Sequence, residues 1–322
     1  MSNKNKVIHE KELESSLKFR QGLFLGQAVG DALGAQVEFS SARDILRKFP
    51  QGVREMRGGG PWRLFPGQVT DDTELAYCLA QGLIEAQGYD EKVIYRWYQK
   101  WQWSNPFDCG NTTRCGLQGH PILESQANGA MMRISPLALA GEHWDEYDLM
   151  ECARKDARMT HPNLVCQEAN ALFVFLLQQC LKAKFHADEL YNLVQEKAVL
   201  LNVSSLLQNA IDLAKKGRYS ISAYQEGWVV YAFHNALYQL LHASSFEEGL
   251  VDTINQGGDT DTTGAICGAM LGAYFGVDNI PWIWRESVLQ CKPQKATSQN
   301  PHDRPEFLWP SRTLEWVEKL KF

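Results

Sequence analysis

Glycine recurs every fourth residue in two distant stretches of the chain, and this spacing constrains the fold more than any other feature. The two series are Gly22, Gly26, Gly30 and Gly34, and Gly264, Gly268, Gly272 and Gly276. Residues four apart lie on one face of an α-helix. Because glycine destabilises a helix interior by about 1 kcal/mol relative to alanine, each stripe needs a compensating gain, which close helix packing provides. We predict that these two helices form the buried centre of the fold and rigidly place the loops at their ends.

Amphipathic helical periodicity dominates the rest of the chain, and strand-like alternation is almost absent. The pattern predicts helices at Thr73–Gln87, Asp90–Trp101, Trp144–Ala157, Leu164–Ala183, Leu206–Lys215, Gly227–His242, Phe246–Asn255 and Thr313–Lys321. Glycine and proline cluster in the intervening loops, notably from Arg57 to Gly67 and from Lys292 to Pro310. We therefore predict an all-α fold in which irregular loops join the helices.

The 322 residues, 44% of them hydrophobic, suffice for one large core, and no composition break or fixed-period repeat divides them. We treat Gln21–Phe322 as a single domain. The first 20 residues differ because they are rich in charge between Lys11 and Arg20. We predict that they form an accessory N-terminal helix before this domain.

Charge and hydropathy argue against two classes of partner. The net charge of −6 provides no basic field for nucleic acid, and the longest basic run is Lys215 to Arg218. The longest apolar stretches, Gly22–Gly34 and Gly264–Val277, are shorter than the roughly 18–20 residues that cross a bilayer, so we expect no membrane span. Eight cysteines without a CxxC pair predict reduced thiols, and the charged N-terminus does not read as a signal peptide. We expect a cytoplasmic protein.

The strongest local signal is the segment that opens the second glycine-striped helix, where Asp259 and Asp261 lie two residues apart among threonines. Oxygen donors at this density suit a hard cation. The segment begins like an EF-hand loop, but Met270 stands where that loop needs a glutamate. The simpler alternative is that Asp261 or Thr262 caps the helix that follows.

A second acidic cluster, Thr70-Asp71-Asp72, precedes another amphipathic helix. It also has a simpler alternative, because Asp71 and Glu74 could form a capping-box-like pair. Two such clusters at helix starts are better explained by one shared metal site, since converging carboxylates repel one another unless cations neutralise them. The all-oxygen set favours magnesium or manganese, and no histidine or cysteine spacing supports zinc. Six donors from two loops favour two ions.

Three polar loops are further candidates for the pocket: Phe107–Asn111, Ala127–Arg133 and Met159–Asn163. Each also has an ordinary interpretation. Asn-Gly is a common turn signal, a histidine before proline is more often a structural cap, and Asp108 could simply be solvated.

Taken in order, these motifs resemble those of the ADP-ribosylglycohydrolase family. The resemblance covers Gln21 to about Ile280 and rests on Gly22 to Ala35 with Val37, Glu38 and Phe39, on Thr70–Thr73, Asp108–Asn111, Asn128–Arg133 and Thr160–Pro162, and on Gly257–Gly264. It implies a compact, orthogonal all-α fold and a centre of two divalent cations, magnesium or manganese. It makes residues 21–322 the catalytic domain.

The resemblance also implies roles for individual residues. The metal-ligand positions are Thr70, Asp71, Asp72, Asp259, Asp261 and Thr262. Glu38 matches a mobile glutamate near the reacting sugar, and Asp108 matches an acid beside the metals that helps place the substrate. The substrate-binding positions are Gly110, Asn111, Asn128, Gly129, Ala130, Met131, Arg133, His161 and Trp228. One departure is Ala130, where serine is common; the lost hydroxyl removes a hydrogen bond of about 1 kcal/mol and bears on substrate preference.

The activity that the resemblance implies is hydrolysis of the bond between ADP-ribose and a modified protein side chain, with arginine the favoured acceptor. Water attacks the anomeric carbon through an oxocarbenium-like transition state, while Asp108 or Glu38 acts as base or electrostatic stabiliser. Three alternatives stay open: a two-metal phosphoesterase, an inactive ADP-ribose-binding or structural member, and an immunity protein against an ADP-ribosylating toxin. In the last case residues 1–20 could block the toxin, although an ordinary solvated helix explains them as well.

Overall fold

A computed structural model describes residues 3–219 and 226–322, with side chains from Ser16 onward. Within these residues the chain forms fifteen α-helices and no strand, which confirms the all-α prediction. They are α1 Asn3–Gly34, α2 Ala42–Lys48, α3 Asp71–Ala86, α4 Glu91–Trp103, α5 Asn111–Leu117, α6 Ser135–Ala140, α7 Glu146–Thr160, α8 Leu164–Lys182, α9 Ala187–Leu200, α10 Ser205–Lys216, α11 Val229–His242, α12 Phe246–Ile254, α13 Thr260–Phe275, α14 Trp282–Gln290 and α15 Thr313–Lys319. Short 3-10 turns occur at Val277–Asn279, Glu306–Leu308 and Pro310–Arg312.

The two glycine-striped helices pack directly against each other, antiparallel, at the centre of the molecule. A Cβ added at Gly26 would overlap the carbonyl oxygen of Gly268, and one added at Gly30 would overlap that of Gly264. The same holds in the reverse direction along the stripe. The backbones of α1 and α13 therefore touch where side chains are missing, and this contact supplies the gain that the glycines require. The prediction of a buried centre is confirmed, except that Gly276 lies just beyond α13 as its C-cap.

The antiparallel contact has a direct consequence for function, because it joins the C-terminal end of α1 to the N-terminal end of α13. A Cβ at Gly34 would overlap the carbonyl oxygen of Thr260, and the Thr260 hydroxyl donates to the Gly34 carbonyl at 2.8 Å. The acidic segment at Asp259 and Asp261 is thereby fixed beside the loop that leaves α1.

The apolar helix α8 packs against both helices of this centre. In the described part of the chain, α8 is the helix whose length and hydropathy would allow it to cross a membrane, but 83% of its apolar window is buried inside the protein. Its composition is therefore that of a core helix, with Leu172, Phe173 and Leu177 almost fully buried.

The N-terminal segment continues α1 without a break, since the helix runs from Asn3 through Gly34. Arg20 anchors it: the guanidinium forms a buried ion pair with Glu142 and donates to the carbonyl of Leu320 at 2.9 Å. The boundary at residues 20 and 21 stays a prediction, and it falls inside this helix. Residues 1 and 2 lie outside the described part.

Candidate active site

Most of the predicted site residues line one open cavity of about 410 Å³. Its acidic members are Glu38, Asp71, Asp108, Asp259 and Asp261, which the sequence predicted, and Glu226, which it did not. The predicted residues Thr262, Gly110, Asn111, Asn128, Gly129 and His161 also line it. The two acidic clusters, almost 190 positions apart in the sequence, therefore meet, as the hypothesis of a shared metal site requires.

The loop after α1 brings Glu38 to the cavity because it pairs with the segment before α13. Phe39 N donates to the carbonyl of Gly258 at 2.8 Å, and Gly258 N donates to the carbonyl of Ser40 at 2.9 Å. Gly257 and Gly258 have φ of 76° and 78°, a left-handed conformation that glycine adopts without strain. The glycine pair thus allows two loops to run close together and places Glu38 opposite Asp259 and Asp261.

The second acidic cluster is positioned by Asp31, a buried aspartate on α1. Its carboxylate accepts hydrogen bonds from Thr70 N at 3.0 Å and from Thr73 N at 3.1 Å. The Thr70 hydroxyl, with its single hydrogen, lies 3.1 Å from this carboxylate and 2.9 Å from Asp72 Oδ2. Because Thr70 itself provides no side-chain cap, Asp31 caps the first turn of α3 from another helix, and it fixes the direction in which Asp71 and Asp72 point.

Glu74 does not form the capping-box-like pair that the sequence allowed. Both of its carboxylate oxygens bind Arg304, at 2.7 and 2.8 Å, and it accepts from Trp101 Nε1 at 2.7 Å. Arg304 also donates to the carbonyls of Ser104 and Asn105 at 3.0 and 3.3 Å. This buried ion pair therefore ties the start of α3 to the loop that leads to Asp108.

The cavity concentrates negative charge, and the pKa values respond. Burial, with repulsion from Asp108, raises the pKa of Glu38 to about 8, although the hydrogen bond from Trp62 opposes the shift. Burial and then Asp259 raise the pKa of Asp108 to about 6. Burial also raises the pKa of Asp71, Asp72 and Asp261 well above the usual value. In the protein alone these groups cannot all ionise at neutral pH, and a bound cation would favour their charged forms.

The donor atoms suit a divalent oxygen-seeking ion. Oxygens of Glu38, Asp108 and Asp261 lie within 4.8 Å of one another. Asp72 Oδ1 is buried and has no hydrogen-bond partner among the described residues, and an orphaned buried oxygen of this kind is often explained by an ion or a water. Because the set contains carboxylates and hydroxyls but no thiol, it fits magnesium or manganese better than zinc.

The opposite wall of the cavity carries uncharged hydrogen-bonding groups. Asn128 Nδ2 donates to Asp259 Oδ2 at 2.6 Å, which connects this wall to the acidic one. Among the described residues, the backbone amides of Gly129 and Ala130 have no hydrogen-bond partner. Free amides in a turn are suited to an anionic ligand.

Six predicted residues do not appear in the cavity lining: Thr70, Asp72, Ala130, Met131, Arg133 and Trp228. Thr70 and Asp72 are buried. Arg133 is fully buried and binds Asp156 instead. Trp228 is the residue that precedes α11, and its Nε1 donates to the Gln126 side chain at 2.8 Å.

Sequence reasoning missed several residues that shape the site. Asp31 positions Thr70, Trp62 positions Glu38, and Arg304 positions Glu74. Phe39 lines the cavity and is 65% exposed. Asp31 did carry a signal, since it is the charged residue between Gly30 and Gly34 on a helix predicted to be buried.

Comparison with known proteins gives the same answer as the geometry. A sequence profile described as ADP-ribosylglycohydrolase matches residues 17–304. The chain belongs to the ADP-ribosylglycohydrolase family. It is 36% identical over 276 residues to the ADP-ribosyl-[dinitrogen reductase] glycohydrolase of Rhodospirillum rubrum, covering 82% of this chain and 87% of that one. It is 30% identical over 297 residues to the ADP-ribosylarginine hydrolase Tri1 of Serratia proteamaculans, covering 85% and 76%.

The fold comparison agrees. A solved structure titled ADP-ribosylglycohydrolase-related protein complex superposes with a TM-score of 0.76 at 32% identity, covering 96% of this chain and 100% of that one. Both the resemblance drawn from the motifs and the predicted fold are confirmed. Membership of this family makes the chain a hydrolase of ADP-ribose linkages.

Proposed function

We propose that the protein removes ADP-ribose from arginine side chains of modified proteins in a reaction that requires divalent cations. The observation that carries the proposal is the convergence of six carboxyl side chains on one cavity whose opposite wall offers backbone amides without a partner among the described residues. The arginine acceptor is supported by the relatives named ADP-ribosylarginine hydrolase in Serratia proteamaculans and in Pseudomonas putida.

We propose two magnesium or manganese ions as the cofactors. The residues to hold them are Thr70, Asp71, Asp72, Asp259, Asp261 and Thr262. When bound, such ions orient ribose hydroxyls and water and neutralise the carboxylates. The orphaned Asp72 oxygen and the raised pKa of Asp261 support this set. Glu38 and Asp108 come close to Asp261 and complete the acidic wall.

Carboxyl groups at the cavity can accept and donate the protons that hydrolysis requires. Water attacks the ribose anomeric carbon while the bond from that carbon to the guanidinium nitrogen breaks, and the bonding pair leaves with the nitrogen. One proton must leave the water and the nitrogen must gain one. Glu38 and Asp108 are the two carboxyl groups at the cavity whose pKa values, about 8 and about 6, lie near neutral pH, so either can exchange a proton there.

The position of Glu38 is controlled from the loop that precedes α3. Trp62 Nε1 donates to Glu38 Oε2 at 2.7 Å, which orients the carboxylate and leaves its other oxygen available. On the opposite wall, Asn128 and the amides of Gly129 and Ala130 are proposed to bind ADP-ribose. The backbone donors remain in place even though Ala130 lacks a hydroxyl.

Two further parts of the proposal concern the setting of the enzyme. We propose a cytoplasmic location, which the eight unpaired cysteines support.

An additional role as an immunity protein stays a prediction. Residues 3–20 extend α1 away from the cavity, and Arg20 lies about 21 Å along the helix from Gly34 at 1.5 Å per residue. Any blocking arm would therefore act at a distance from the catalytic cavity.

The test uses separately prepared proteins that carry ADP-ribose on arginine or on serine. With magnesium or manganese present, the proposal predicts release of free ADP-ribose from the arginine-linked substrate and little from the serine-linked one. Asp261→Asn should abolish release while the protein stays folded. The matched control is Asp188→Asn, which makes the same change at a side chain that is 74% exposed.

Three results would count against the proposal. Release from serine alone would overturn the acceptor, and release of inorganic phosphate would favour a phosphoesterase. An absence of release from both substrates would leave only an ADP-ribose-binding or structural member.

A further inference from the structure

A chain of buried polar groups runs from the protein interior to the floor of the cavity. Arg133 Nε donates to Asp156 Oδ1 at 3.0 Å, and its Nη1 donates to the Thr160 hydroxyl at 2.9 Å. The Thr160 hydroxyl oxygen in turn lies 2.7 Å from His161 Nδ1. All four side chains are fully buried, so solvent does not compete for these hydrogen bonds.

The number of hydrogens that the groups in this hydrogen-bond series can donate determines which ring nitrogen of His161 carries a hydrogen. A guanidinium has donors only, so the Thr160 oxygen accepts from Arg133. Among the described residues, the remaining neighbour of the Thr160 hydroxyl is His161 Nδ1. The hydroxyl hydrogen therefore goes to Nδ1. Nδ1 is the acceptor, and Nε2 carries the single hydrogen of a neutral ring.

The opposite arrangement fits less well. If Nδ1 carried the hydrogen, the Thr160 oxygen would accept twice and its own hydrogen would have no partner in the described structure. The ring also stays neutral: burial, and to a smaller extent Arg133, lowers the pKa of His161 to about 3.

The Nε2 end of the ring is unsatisfied in the protein alone. It is buried and has no hydrogen-bond partner among the described residues. It lies beside Gly129, where an added Cβ would come within 3.0 Å of Nε2 and 2.9 Å of the Thr113 hydroxyl oxygen. The missing side chain leaves this nitrogen next to the cavity that His161 lines. Because a buried N–H without a partner is unfavourable, a ligand acceptor placed here gains a hydrogen bond.

We propose that Arg133 and Thr160 act as a relay that locks His161 as a neutral Nε2–H donor for an acceptor atom of bound ADP-ribose. Only the identity of the ligand rests on the proposed function. Arg133 and Thr160 are then positioning residues, which act through His161 rather than by touching the ligand. This gives the buried Arg133 a role that its sequence position in a substrate-binding loop did not reveal.

The direct test is nitrogen-15 NMR of the full-length protein labelled at histidine, with magnesium present. Long-range proton–nitrogen correlations distinguish the two neutral tautomers, and a His161→Gln variant assigns the signal. The expected result is a neutral ring with hydrogen on Nε2, whose signal shifts when ADP-ribose is added. A hydrogen on Nδ1, or a charged ring at neutral pH, overturns the relay.

Two variants of the relay extend the test. Thr160→Val keeps the shape but removes the hydroxyl, so we expect mixed tautomers and ADP-ribose affinity about 10-fold weaker, as for the loss of one good hydrogen bond. Thr160→Ser restores the hydroxyl and should restore both. Unchanged tautomer and affinity in Thr160→Val would refute the proposal. If that variant does not fold, the tautomer of the unsubstituted protein still decides.

The NMR result also separates this proposal from the proposed function. If the unsubstituted protein bound no ADP-ribose, the proposed function would fail together with the ligand contact. The tautomer of the ligand-free protein would still decide whether the relay exists.

Discussion

Removal of Arg304 should both destabilise the protein and weaken catalysis, because the buried pair with Glu74 holds two parts of the site together. The two side chains are only 3% and 2% exposed. Breaking a buried ion pair by removing one partner costs about 3–5 kcal/mol. For Arg304→Met this corresponds to a drop in melting temperature of roughly 4–7 °C in a chain of this size.

A matched control exists in the same chain. Arg312 and Glu315 form an ion pair with the same two-point geometry, at 2.8 and 2.9 Å, but their side chains are 26% and 37% exposed. A solvent-exposed pair contributes about 0–1 kcal/mol. Arg312→Met should therefore change the melting temperature little.

The destabilisation of Arg304→Met should depend on pH in a defined direction. Burial already raises the pKa of Glu74, and Arg304 partly opposes this shift. Without Arg304 the folded-state pKa rises further above the unfolded value. A raised pKa contributes stability at low pH that is lost as pH rises, so the variant should lose more stability at about pH 8 than at about pH 5.

Activity separates the positioning role from simple stability. Arg304 also holds the carbonyls of Ser104 and Asn105, so its loss should displace Asp108 and lower the rate by roughly 10- to 100-fold. The double variant Glu74→Gln with Arg304→Met should recover much of the stability, because no buried charge remains, but not the rate. Equal melting-temperature losses for Arg304→Met and Arg312→Met would contradict the stabilising role of the buried pair, and full activity of the double variant would contradict the positioning role of Arg304.

Three further predictions follow from the helix packing and the acidic wall. Gly26→Ala places a Cβ against the Gly268 carbonyl and should cost about 1–3 kcal/mol in denaturant unfolding despite the better helix propensity of alanine; unchanged stability would contradict the packing. Asp31→Asn weakens charge-assisted hydrogen bonds to the start of α3 and should cost about 1–3 kcal/mol and lower manganese affinity in a binding titration, whereas unchanged affinity would refute its positioning role. The pKa values of Asp108 and Glu38 are raised to about 6 and about 8. Their protonated forms therefore contribute stability to the metal-free protein below about pH 4, and this contribution is lost as the pH rises to about 8. The rise in melting temperature on adding magnesium should therefore grow across that window, and a flat response would contradict it.

Patterns within one helix were predictable from the sequence because they depend on spacing alone. The glycine stripes predicted a buried centre, and periodicity predicted α3, α4, α7, α8, α10, α11, α12 and α15 to within a few residues at each end. α6 escaped because all six of its residues are buried, so it has no polar face to produce a periodic pattern. α1 was predicted only as separate pieces, because its charged N-terminal part and its glycine-striped part have different patterns.

Contacts between distant residues were not predictable in the same way. Nothing near Glu74 indicates that its partner is Arg304, which lies 230 positions away. Asp31 caps α3 from another helix, a contact that the local capping-box alternative for Asp71 and Glu74 could not indicate. For the same reason the sequence identified Asp71 and Asp261 as partners in one site only through their composition and through the family resemblance.

Hydrolysis is proposed to depend on divalent cations that the acidic stretches around Asp71 and Asp261 bind. The most direct measurement titrates manganese into rigorously metal-stripped protein while ADP-ribose release from an arginine-linked substrate is followed. We expect two bound ions per chain, no release before the titration, and recovery of release as the ions bind. Asp71→Asn and Asp261→Asn should lose both binding and release. Undiminished turnover by the stripped protein, or the absence of any bound manganese, would contradict this dependence.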